Sequence, residues 1–473
     1  MRIKIVATLG PASMEYDIMR QMVEYGVRIF RLNFSHADAA FFVPTVQKIR
    51  RLEEEFKIPL TVMGDLCGPK VRIGEVIGSP LQIRRGGTVF LGLPGQEDKA
   101  EGSPFISLDM PQLLQGLEPG MDVSLSDGML LFKVTRTVQN ERLYELEAQN
   151  GGFLSSHKGI AFPGKYVAIP AMTEKDKKDL HEGLEIGIDA VALSFVQNVS
   201  DVRMLRDEIA RHNTWIPIIS KLERRNAVDN LDSILALSDS IMVARGDLGL
   251  DLPLSSLPVV QKRIIRATRH AQKASIVATQ MLLSMVKNPT PTRAESTDVA
   301  NAILDGADCV MLSEETAIGS YPVEAVKFIN EIAVTAEDYY LERLRLPYAP
   351  KPEKNPGKYL AYAAALLAHN ADSKGLVCHS TSGVTARLFS SRRPSHPIFT
   401  LTPDERILRA LNFYWGVEPR RSDTTYTSHI ERVEHFVQES DFFQPGDNIV
   451  LTSGQPTPGQ AGTHTNQIKI YYK

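Results

Sequence analysis

The strongest constraint on the fold is an alternation of short apolar, β-branched runs with longer helical stretches. Eight such runs occur in two blocks, at 3–9, 27–32, 60–64, 190–195, 216–220, 240–244, 275–279 and 309–313. Parallel strands require long crossover connections, whereas hairpins require only tight turns. The sequence therefore predicts an α/β protein built on a (β/α)8 TIM barrel.

Two regions depart from this alternation. Between 69 and 165 the pattern changes to alternating strands with Gly-rich turns, which predicts an inserted β-barrel-like domain. After a Pro- and Lys-rich linker at 347–356 the helix and strand alternation resumes, which predicts a C-terminal doubly wound α/β domain. We place the barrel at 1–68 and 166–346, the insertion at 69–165 and the last domain at 357–473.

Composition argues against several classes of protein. The 53 basic and 56 acidic residues leave a formal net charge of −3, so no overall field favours nucleic acid or a membrane as partner. Cys67, Cys309 and Cys378 have no CxxC spacing, which predicts neither a disulfide framework nor a structural zinc site. No apolar run has the length of a membrane span, and the first residues have a strand pattern rather than a signal sequence. We expect a cytoplasmic protein.

Polar side chains follow several runs, at the strand ends where a TIM barrel carries its active site. Lys221 and Glu223 are separated by one residue, so both side chains leave an extended backbone on the same side. Asp247 follows the next run and would complete, with Glu223, an oxygen-ligand site for Mg²⁺ or Mn²⁺. The alternatives are a surface ion pair of Lys221 and Glu223, and an Asx turn at Asp247.

Two loops nearer the N-terminus add cations and hydrogen-bonding groups. The loop at 31–36 supplies Arg31, a planar cation suited to phosphate, and His36, which alone would more often be an ordinary loop histidine. The loop at 64–72 adds Asp65, two cations and a rigid turn, and it also has the character of a hinge. Cys67 in this loop has no nearby histidine partner, so we interpret it as a bystander thiol.

Seven segments resemble the signatures of the pyruvate kinase family, in the order of that family. They are 8–13 (TLGPAS), 31–36 (RLNFSH), 220–223 (SKLE), 244–249 (ARGDLG), 278–282 (ATQML), 291–295 (PTRAE) and 298–302 (DVANA). The resemblance covers nearly the whole chain. It implies a bacterial-type glycolytic enzyme without an N-terminal extension, which transfers the phosphoryl group of phosphoenolpyruvate to ADP and gives pyruvate and ATP. A homotetramer is also implied.

The resemblance assigns roles to residues at matching positions. Arg31 and Lys221 would contact the phosphoryl group, and we expect Lys221 to stabilise charge rather than to build the fold. Glu223 and Asp247 would bind the divalent ion. The carboxylate end of the substrate would be held by Gly246, Asp247 and Thr279. Catalytic roles are implied for Lys221, Arg31 and Thr279. From a neighbouring strand end, Thr279 would position a water chain that protonates the methylene carbon of the enolate.

Nucleotide binding is implied for a second group of residues. The residues that would contact the nucleotide phosphates are Asn33, Ser35, His36, Arg72 and Lys158. Lys158 belongs to the insertion, and the usual alternative for such a residue is a solvated loop lysine. The insertion would close over the nucleotide as a lid and exclude water.

A hydroxyl-rich turn at 380–385 follows a short apolar run and opens a helix. Backbone N–H groups at a helix start, together with hydroxyl groups, form an anion site. The resemblance implies an allosteric, regulatory site for a phosphorylated metabolite here. Its residues are Ser380, Thr381, Ser382, Gly383 and Thr385. An ordinary capped turn is the alternative.

The chain departs from the family pattern at two places. Many members have Gly where Glu314 stands, which leaves the shape of that loop open. Many also carry Asp-Thr-Lys-Gly-Pro-Glu where this chain has DLCGPK at 65–70. The second difference affects the region that holds a monovalent cation in members with Thr and Glu there. That region corresponds to Asn33, Ser35, Asp65, Leu66 and Lys70.

Lys70 is itself a compact cation on a flexible stem. It would replace a bound potassium ion and repel it, while Leu66 removes a hydroxyl ligand. We therefore expect a requirement for Mg²⁺ or Mn²⁺ but not for potassium. Alternatively, Lys70 points into solvent and the potassium site survives.

Two other functions remain as alternatives. One is a different Mg²⁺-dependent barrel enzyme acting on phosphoenolpyruvate or a keto acid, such as an aldolase or a lyase, against which the insertion counts. The other is a catalytically idle sensor of sugar phosphates that works through the last domain. The presence of Lys221, Glu223 and Asp247 counts against a sensor, which has no need of all three.

Overall fold

The structure is a computed structural model that describes residues 1–69, 71–100, 102–126, 128–139, 142–165, 169–454 and 465–473. Lys70 lies outside the described residues, so its predicted position beside the substrate stays a prediction.

The strands are numbered in chain order. They are β1 (Lys4–Thr8), β2 (Val27–Asn33), β3 (Thr61–Asp65), β4 (Leu81–Ile83), β5 (Thr88–Gly92), β6 (Phe105–Ser107), β7 (Asp122–Leu125), β8 (Leu130–Gln139), β9 (Leu143–Ala148), β10 (Gly152–Leu154), β11 (Ile160–Ala161), β12 (Ala190–Leu193), β13 (Ile218–Leu222), β14 (Ser240–Ala244), β15 (Ala274–Ala278), β16 (Cys309–Leu312), β17 (Leu376–His379), β18 (Ile398–Thr402), β19 (Val417–Arg421), β20 (Asn448–Ser453) and β21 (Gln467–Tyr472).

The helices are numbered in the same way. They are α1 (Tyr16–Glu24), α2 (Ala39–Phe56), α3 (Pro111–Leu114), α4 (Glu174–Ile186), α5 (Val199–Arg211), α6 (Arg225–Asp229), α7 (Leu231–Leu237), α8 (Arg245–Asp251), α9 (Leu257–His270), α10 (Arg293–Leu304), α11 (Glu314–Ala317), α12 (Pro322–Arg343), α13 (Pro356–Asn370), α14 (Val384–Arg392), α15 (Glu405–Ala410) and α16 (His429–Glu439). Short 3₁₀ turns lie at Glu97–Ala100, Leu283–Val286 and Leu411–Phe413.

Eight parallel strands close a barrel in the order β1, β16, β15, β14, β13, β12, β3, β2. Side chains alternate between two cores along each strand: Ile5 and Ala7 pack outward against the helices, whereas Val6 packs into the barrel interior. Burial on both faces explains why these runs are apolar throughout. The predicted TIM barrel is confirmed.

The region between β3 and α4 forms a separate β-domain. Its main sheet has the order β11, β7, β8, β9, β5, β6, and every pair except β5 with β6 is antiparallel. Strands β4 and β10 form a two-stranded sheet beside it. A core of its own, from Val71 to Phe162, holds this domain together. The predicted inserted β-domain is therefore present, and its boundaries at 69 and 165 stay predictions.

The last domain has a five-stranded sheet in the order β19, β18, β17, β20, β21, in which only β21 runs antiparallel to its neighbour. Both faces of the sheet are covered: Leu376 and Cys378 pack into the core that continues into the barrel interior, and Val377 packs into a second core on the opposite side. This is the predicted doubly wound α/β arrangement.

A buried ion pair attaches the last domain to the amino end of the barrel. The Arg393 guanidinium has no solvent exposure and lies 2.8 Å from Asp308 Oδ1, and it donates to the Gly306 carbonyl at 2.7 Å. Asp308 directly precedes β16, so the contact ties the domain to the barrel strands. The opposite, carboxyl end of the barrel stays available for the site. None of the helices in the described part of the chain is long and apolar enough to cross a membrane.

Candidate active site

Three charged side chains, from the ends of β2, β3 and β13, meet at the carboxyl end of the barrel. Asp65 ends β3, and its two carboxylate oxygens are contacted by different cations. Arg31 Nε of β2 donates to Oδ2 at 2.6 Å, and Lys221 Nζ of β13 lies 3.3 Å from Oδ1. Arg31 also donates to Thr8 Oγ1 at 3.1 Å, which fixes the plane of the guanidinium. Arg31 and Lys221, the two residues predicted to contact the phosphoryl group, are therefore both held by the carboxylate of Asp65.

Lys221 has two further contacts. Its ammonium lies 3.0 Å from Glu223 Oε1 and donates to Ser194 Oγ at 2.7 Å. The side chain of Lys221 is 12% exposed and that of Glu223 is 2% exposed. A surface ion pair, the alternative from the sequence, is therefore wrong. The other oxygen of Glu223 accepts from the Phe195 backbone N–H at 2.7 Å, so the carboxylate is fixed in orientation.

Burial and charge act against each other in this cluster. Burial raises the pKa of Asp65, but the charges of Lys221 and Arg31 outweigh burial and hold the pKa below its usual value. Burial would lower the pKa of Lys221, yet Asp65 and Glu223 raise it above the usual value. Glu223 differs from Asp65: burial raises its pKa, Lys221 only partly opposes this, and Asp247 adds to the rise. The lysine is thus a fixed positive charge at neutral pH.

Glu223 and Asp247 form a pair of neighbouring carboxylates. The charge of Asp247 raises the pKa of Glu223, which reports repulsion between the two groups. Asp247 lies in the first turn of α8 rather than in an Asx turn, and its side chain is half-buried. In the described part of the chain, no group of three or more His, Cys, Asp or Glu is arranged to hold a metal. Two carboxylates are nevertheless suited to a Mg²⁺ ion, because this ion usually binds one or two protein carboxylates and takes waters or substrate oxygens as its other ligands.

Thr279 stands in a strained turn directly after β15. Its φ is +71°, in the left-handed region, which costs a β-branched residue about 1 to 3 kcal/mol. Arg245 holds the turn, because its guanidinium donates to the Thr279 carbonyl at 2.8 Å and is paired with Asp298. The Gly246 N–H donates to Thr279 Oγ1 at 2.9 Å. The predicted carboxylate ligands Gly246 and Thr279 are thus in direct contact.

Three of the residues predicted to bind the nucleotide lie at the end of β2 and in the turn that follows it. The Asn33 side chain accepts from the Ser35 N–H at 3.1 Å, and the Asn33 carbonyl accepts from the His36 N–H at 3.2 Å. The side chains of Ser35 and His36 are exposed. The loop is therefore a tight turn that directs polar groups outward beside Arg31.

Arg72 and Lys158 lie on two paired segments of the inserted domain. Arg72 pairs with Gly159 in an antiparallel bridge, and its guanidinium donates to the His157 carbonyl at 3.0 Å. Both Arg72 and Lys158 are exposed. Their neighbours Val71 and Gly159 face Asp247 across a narrow cleft between the insertion and the barrel. The structure thus places the two cations together near the barrel carboxylates.

Comparisons with known proteins identify the family of the chain. The family model described as "Pyruvate kinase, barrel domain" matches residues 1–326, and "Pyruvate kinase, alpha/beta domain" matches residues 358–471. The chain belongs to the pyruvate kinase family. It is 42% identical over 472 residues to a protein named pyruvate kinase from Agrobacterium vitis, which covers 99% of this chain and 96% of the relative. A pyruvate kinase of Thermococcus litoralis is 37% identical over 470 residues, with 98% of each chain covered. The resemblance seen in the sequence is confirmed, and the protein is a phosphotransferase enzyme.

The loop that joins the barrel to the insertion begins in a rigid environment. Leu66 is buried, and its carbonyl accepts from Ser194 Oγ at 2.7 Å. Gly68 has a φ of +65°, and its N–H donates to Asp176 in the first turn of α4 at 3.0 Å. Cys67 is a half-buried free thiol, and its interpretation as a bystander stays a prediction. The segment that leads into the insertion is therefore held on the barrel up to Gly68.

Glu314 opens the short helix α11, and its side chain is exposed. The neighbouring Glu315 is buried, and its carboxylate accepts from the N–H groups of Leu282 and Ser313 at 3.0 and 2.7 Å. The loop shape is therefore helical, and a side chain at position 314 extends into solvent.

The hydroxyl-rich turn in the last domain lines a cavity of about 890 Å³. Gly383, with a φ of +73°, precedes α14, and Thr385 Oγ1 contacts Thr465 Oγ1 at 2.6 Å. Ser380 and Thr385 are buried, whereas Thr381 and Ser382 are exposed. The cavity is also lined by His379 and His429, whose stacked ring centroids lie 4.1 Å apart. Burial, with the charge of His429 and of Arg432, lowers the pKa of His379 to about 3, so this ring is neutral.

Three residues of the active site were not singled out from the sequence. Ser194 contacts Lys221, Thr8 contacts Arg31, and Arg245 holds the Thr279 turn. Each of them lies at or directly after the carboxyl end of a predicted strand. The rule that such ends carry the chemistry of a barrel would have identified all three.

Proposed function

We propose that this enzyme transfers the phosphoryl group of phosphoenolpyruvate to ADP in glycolysis. The observation that carries the proposal is the convergence of Arg31 and Lys221 on Asp65, directly beside Glu223. Both substrates are highly anionic, and phosphoryl transfer requires positioning and concentrated positive charge more than covalent chemistry from the protein. This cluster supplies that charge in a buried setting.

The contacts of Lys221 suggest how it meets the phosphoryl group. Its ammonium contacts Glu223, Ser194 and Asp65, and the contact with Asp65, at 3.3 Å, is the longest of the three. That contact is the one to exchange for a phosphoryl oxygen. Arg31 keeps N–H donors beyond those used by Asp65 and Thr8. The two cations would then hold the group while its bond to the enol oxygen breaks and its bond to the ADP phosphate oxygen forms.

A divalent ion fits the carboxylate pair. Glu223 and Asp247 follow the adjacent strands β13 and β14 and would hold Mg²⁺ or Mn²⁺, because carboxylate oxygens are the ligands that these ions prefer and a cation would offset the repulsion between two neighbouring carboxylates. When bound, the ion would neutralise negative charge on the substrate oxygens. Lys221 also balances the charge of Glu223, with its ammonium 3.0 Å from Glu223 Oε1.

The strained turn would hold the substrate carboxylate. The Gly246 N–H now donates to Thr279 Oγ1, and a carboxylate oxygen can take over either partner. Held in this way, the enolate would accept a proton on its methylene carbon and become pyruvate. Thr279 has too high a pKa to be the ultimate acid, so its role is to orient water and the carboxylate.

The inserted domain would bind the nucleotide in the cleft between itself and the carboxyl end of the barrel. Arg72 and Lys158 present exposed cations beside a cleft that ends at Asp247, and Asn33, Ser35 and His36 present polar groups from the barrel. Closure of the insertion would exclude water, which competes with ADP for the phosphoryl group.

A direct assay tests the proposal. The protein should produce equal amounts of pyruvate and ATP from phosphoenolpyruvate and ADP with Mg²⁺. Pyruvate or a condensation product without ATP would favour a lyase or an aldolase, and no turnover with retained binding of phosphate esters would favour a sensor.

We also propose regulation, potassium independence and assembly as finer properties. The cavity at 380–385 supports an allosteric site for a phosphorylated metabolite, because hydroxyl groups and a helix start converge there. Engagement of both Asp65 oxygens by Arg31 and Lys221 supports a site that needs no potassium. A cytoplasmic homotetramer stays a proposal from the family resemblance, and light scattering after size-exclusion chromatography tests the tetramer.

A further inference from the structure

The cavity of the last domain is lined by two domains. Besides the hydroxyl-rich turn, its wall includes Gln272 and Lys273, which belong to the barrel. These residues join α9 to β15 at the amino end of the barrel, opposite the active site. Arg387 of α14 also lines the cavity, so cations from both domains face the same space.

Lys273 is a partly desolvated cation. Its ammonium donates to the Ser238 backbone carbonyl, and its side chain is half-buried. Burial lowers the pKa of Lys273, Asp239 opposes this, and Arg387 adds to the lowering. An anion in the cavity would compensate the charges of Lys273 and Arg387 together. A lysine ammonium has three donors, so a ligand can be bound by Lys273 alongside or in place of the carbonyl.

We infer that Lys273 of the barrel is a ligand-binding residue of this cavity and that it recognises the phosphate of a phosphate monoester. The inference rests on the proposed allosteric function of the same cavity and assigns the barrel a part in it. The ligand class follows from the lining, which combines two cations with hydroxyl groups at a helix start. A ligand held by Lys273 and by the turn at 380–385 would link the last domain to the barrel.

Ser238, whose carbonyl accepts from Lys273, is connected to the residue before Lys221. Ser238 Oγ contacts Ser220 Oγ at 2.7 Å, and both serines are fully buried. Ser220 directly precedes Lys221 on β13. A change in the contact between Lys273 and the Ser238 carbonyl therefore acts on a tightly packed pair next to Lys221, where displacements are not absorbed by empty space.

The strand that follows Lys273 gives a second connection. Residues Ala274–Ala278 form β15, and Thr279 follows at its other end. Movement of Lys273 toward the cavity would shift the start of the strand that carries Thr279. Lys273 is thus connected to two residues proposed to contact substrate. One connection runs through Ser238 and Ser220 to Lys221, and the other runs along β15 to Thr279.

Three variants of the full-length enzyme test the inference. Lys273→Met removes the ammonium, and Lys273→Arg keeps the charge. Lys351→Met is the matched control, because Lys351 lines an adjacent cleft with Lys273 but not the cavity itself. Binding of AMP, glucose 6-phosphate, ribose 5-phosphate and inorganic phosphate is measured by isothermal titration calorimetry. The nucleotide and sugar arms distinguish the two sources of a phosphate monoester. Activation is measured as the change in half-saturation for phosphoenolpyruvate.

We expect at least one phosphate monoester to bind the wild type, with Kd raised about tenfold or more in Lys273→Met, as for loss of a charged hydrogen bond. Lys273→Arg should recover most of the affinity, and Lys351→Met should bind as the wild type does. Activation by the same probe should fall in parallel with affinity. Wild-type binding that Lys273→Met leaves unchanged would overturn this inference alone. A wild type that binds none of the probes would overturn the proposed allosteric site and this inference with it.

Discussion

Replacement of Lys221 by Met tests the charge cluster most directly. The variant removes an ammonium that contacts Asp65 at 3.3 Å, Glu223 at 3.0 Å and Ser194 at 2.7 Å. If this ammonium stabilises the migrating phosphoryl group, turnover should fall at least about a thousandfold. That loss corresponds to a rise of about 4 kcal/mol in the activation free energy. The rate of ATP formation at saturating substrates and Mg²⁺ measures this loss.

The structure also predicts an effect of Lys221→Met on stability. From the sequence alone we expect a nearly unchanged melting temperature, but the contacts of the buried cluster replace that expectation. Removal of one partner from a buried ion pair typically costs about 3 to 5 kcal/mol, and proton uptake by Glu223 or Asp65 limits the cost. The melting temperature at pH 8 should therefore fall by several degrees.

The sign of the pH dependence follows from the carboxylates. In the wild type the pKa of Asp65 is lowered, so its contribution to stability is present above its unfolded pKa and is lost as the pH falls through the lowered value. Without Lys221, the pKa of Asp65 would rise from its lowered value because burial would be opposed by Arg31 alone, and the pKa of Glu223, already raised, would rise further. A raised pKa gives stability that is lost as the pH rises through it. The stability deficit of the variant should thus be larger at pH 8 than at pH 5.5.

Differential scanning calorimetry between pH 5.5 and pH 8 measures this deficit, with Lys178→Met as control. Lys178 is an exposed lysine of α4, and its pairing with Glu182 at 3.6 Å should contribute little. Turnover of Lys221→Met within tenfold of the wild type would refute the catalytic role. Equal melting temperatures at pH 8 would refute the buried pairing with Asp65 and Glu223.

Three further predictions concern the ligands. Burial and the charge of Asp247 raise the pKa of Glu223, although Lys221 opposes this rise. The affinity for Mn²⁺, measured by calorimetry, should therefore fall as the pH decreases through the raised pKa. Glu223→Gln should remove this pH dependence. Potassium chloride added to tetramethylammonium buffer with saturating Mg²⁺ should not raise turnover, whereas Lys70→Glu should create a potassium requirement. A rise above about tenfold in the wild type, or about 1.4 kcal/mol of barrier, contradicts that prediction. Ser382→Ala with Thr385→Ala should abolish activation by AMP or sugar phosphates, and a wild type insensitive to all of them would disprove the site.

Much of the barrel was predictable because burial on both faces of a parallel strand requires an apolar run. All eight runs correspond to barrel strands, and the insertion and last domain follow from changes in the period of the pattern. Lys221 and Glu223 could be selected for the same local reason, because polar residues directly after such a run lie at the carboxyl end of the barrel.

Contacts between distant parts of the chain could not be predicted from these patterns. Asp65 was assigned from the resemblance to a monovalent-cation region, yet it lies between Arg31, 34 positions away, and Lys221, 156 positions away. Only the closure of the barrel places the ends of β2, β3 and β13 within reach of one another. Thr279 illustrates the same limit, since its left-handed φ contradicts the preference of a β-branched residue and is held by Arg245.

The amino end of the barrel shows the clearest division between sequence and structure. Periodicity in the sequence determines which segments form strands and helices, because it reflects burial on one or two faces of each element. It carries no information on which loop faces another domain. Lys273 gives no signal in the sequence, and only the docking of the last domain, fixed by the buried pair of Arg393 and Asp308, brings it to the cavity. Such contacts depend on the packing of whole domains, which local patterns do not determine.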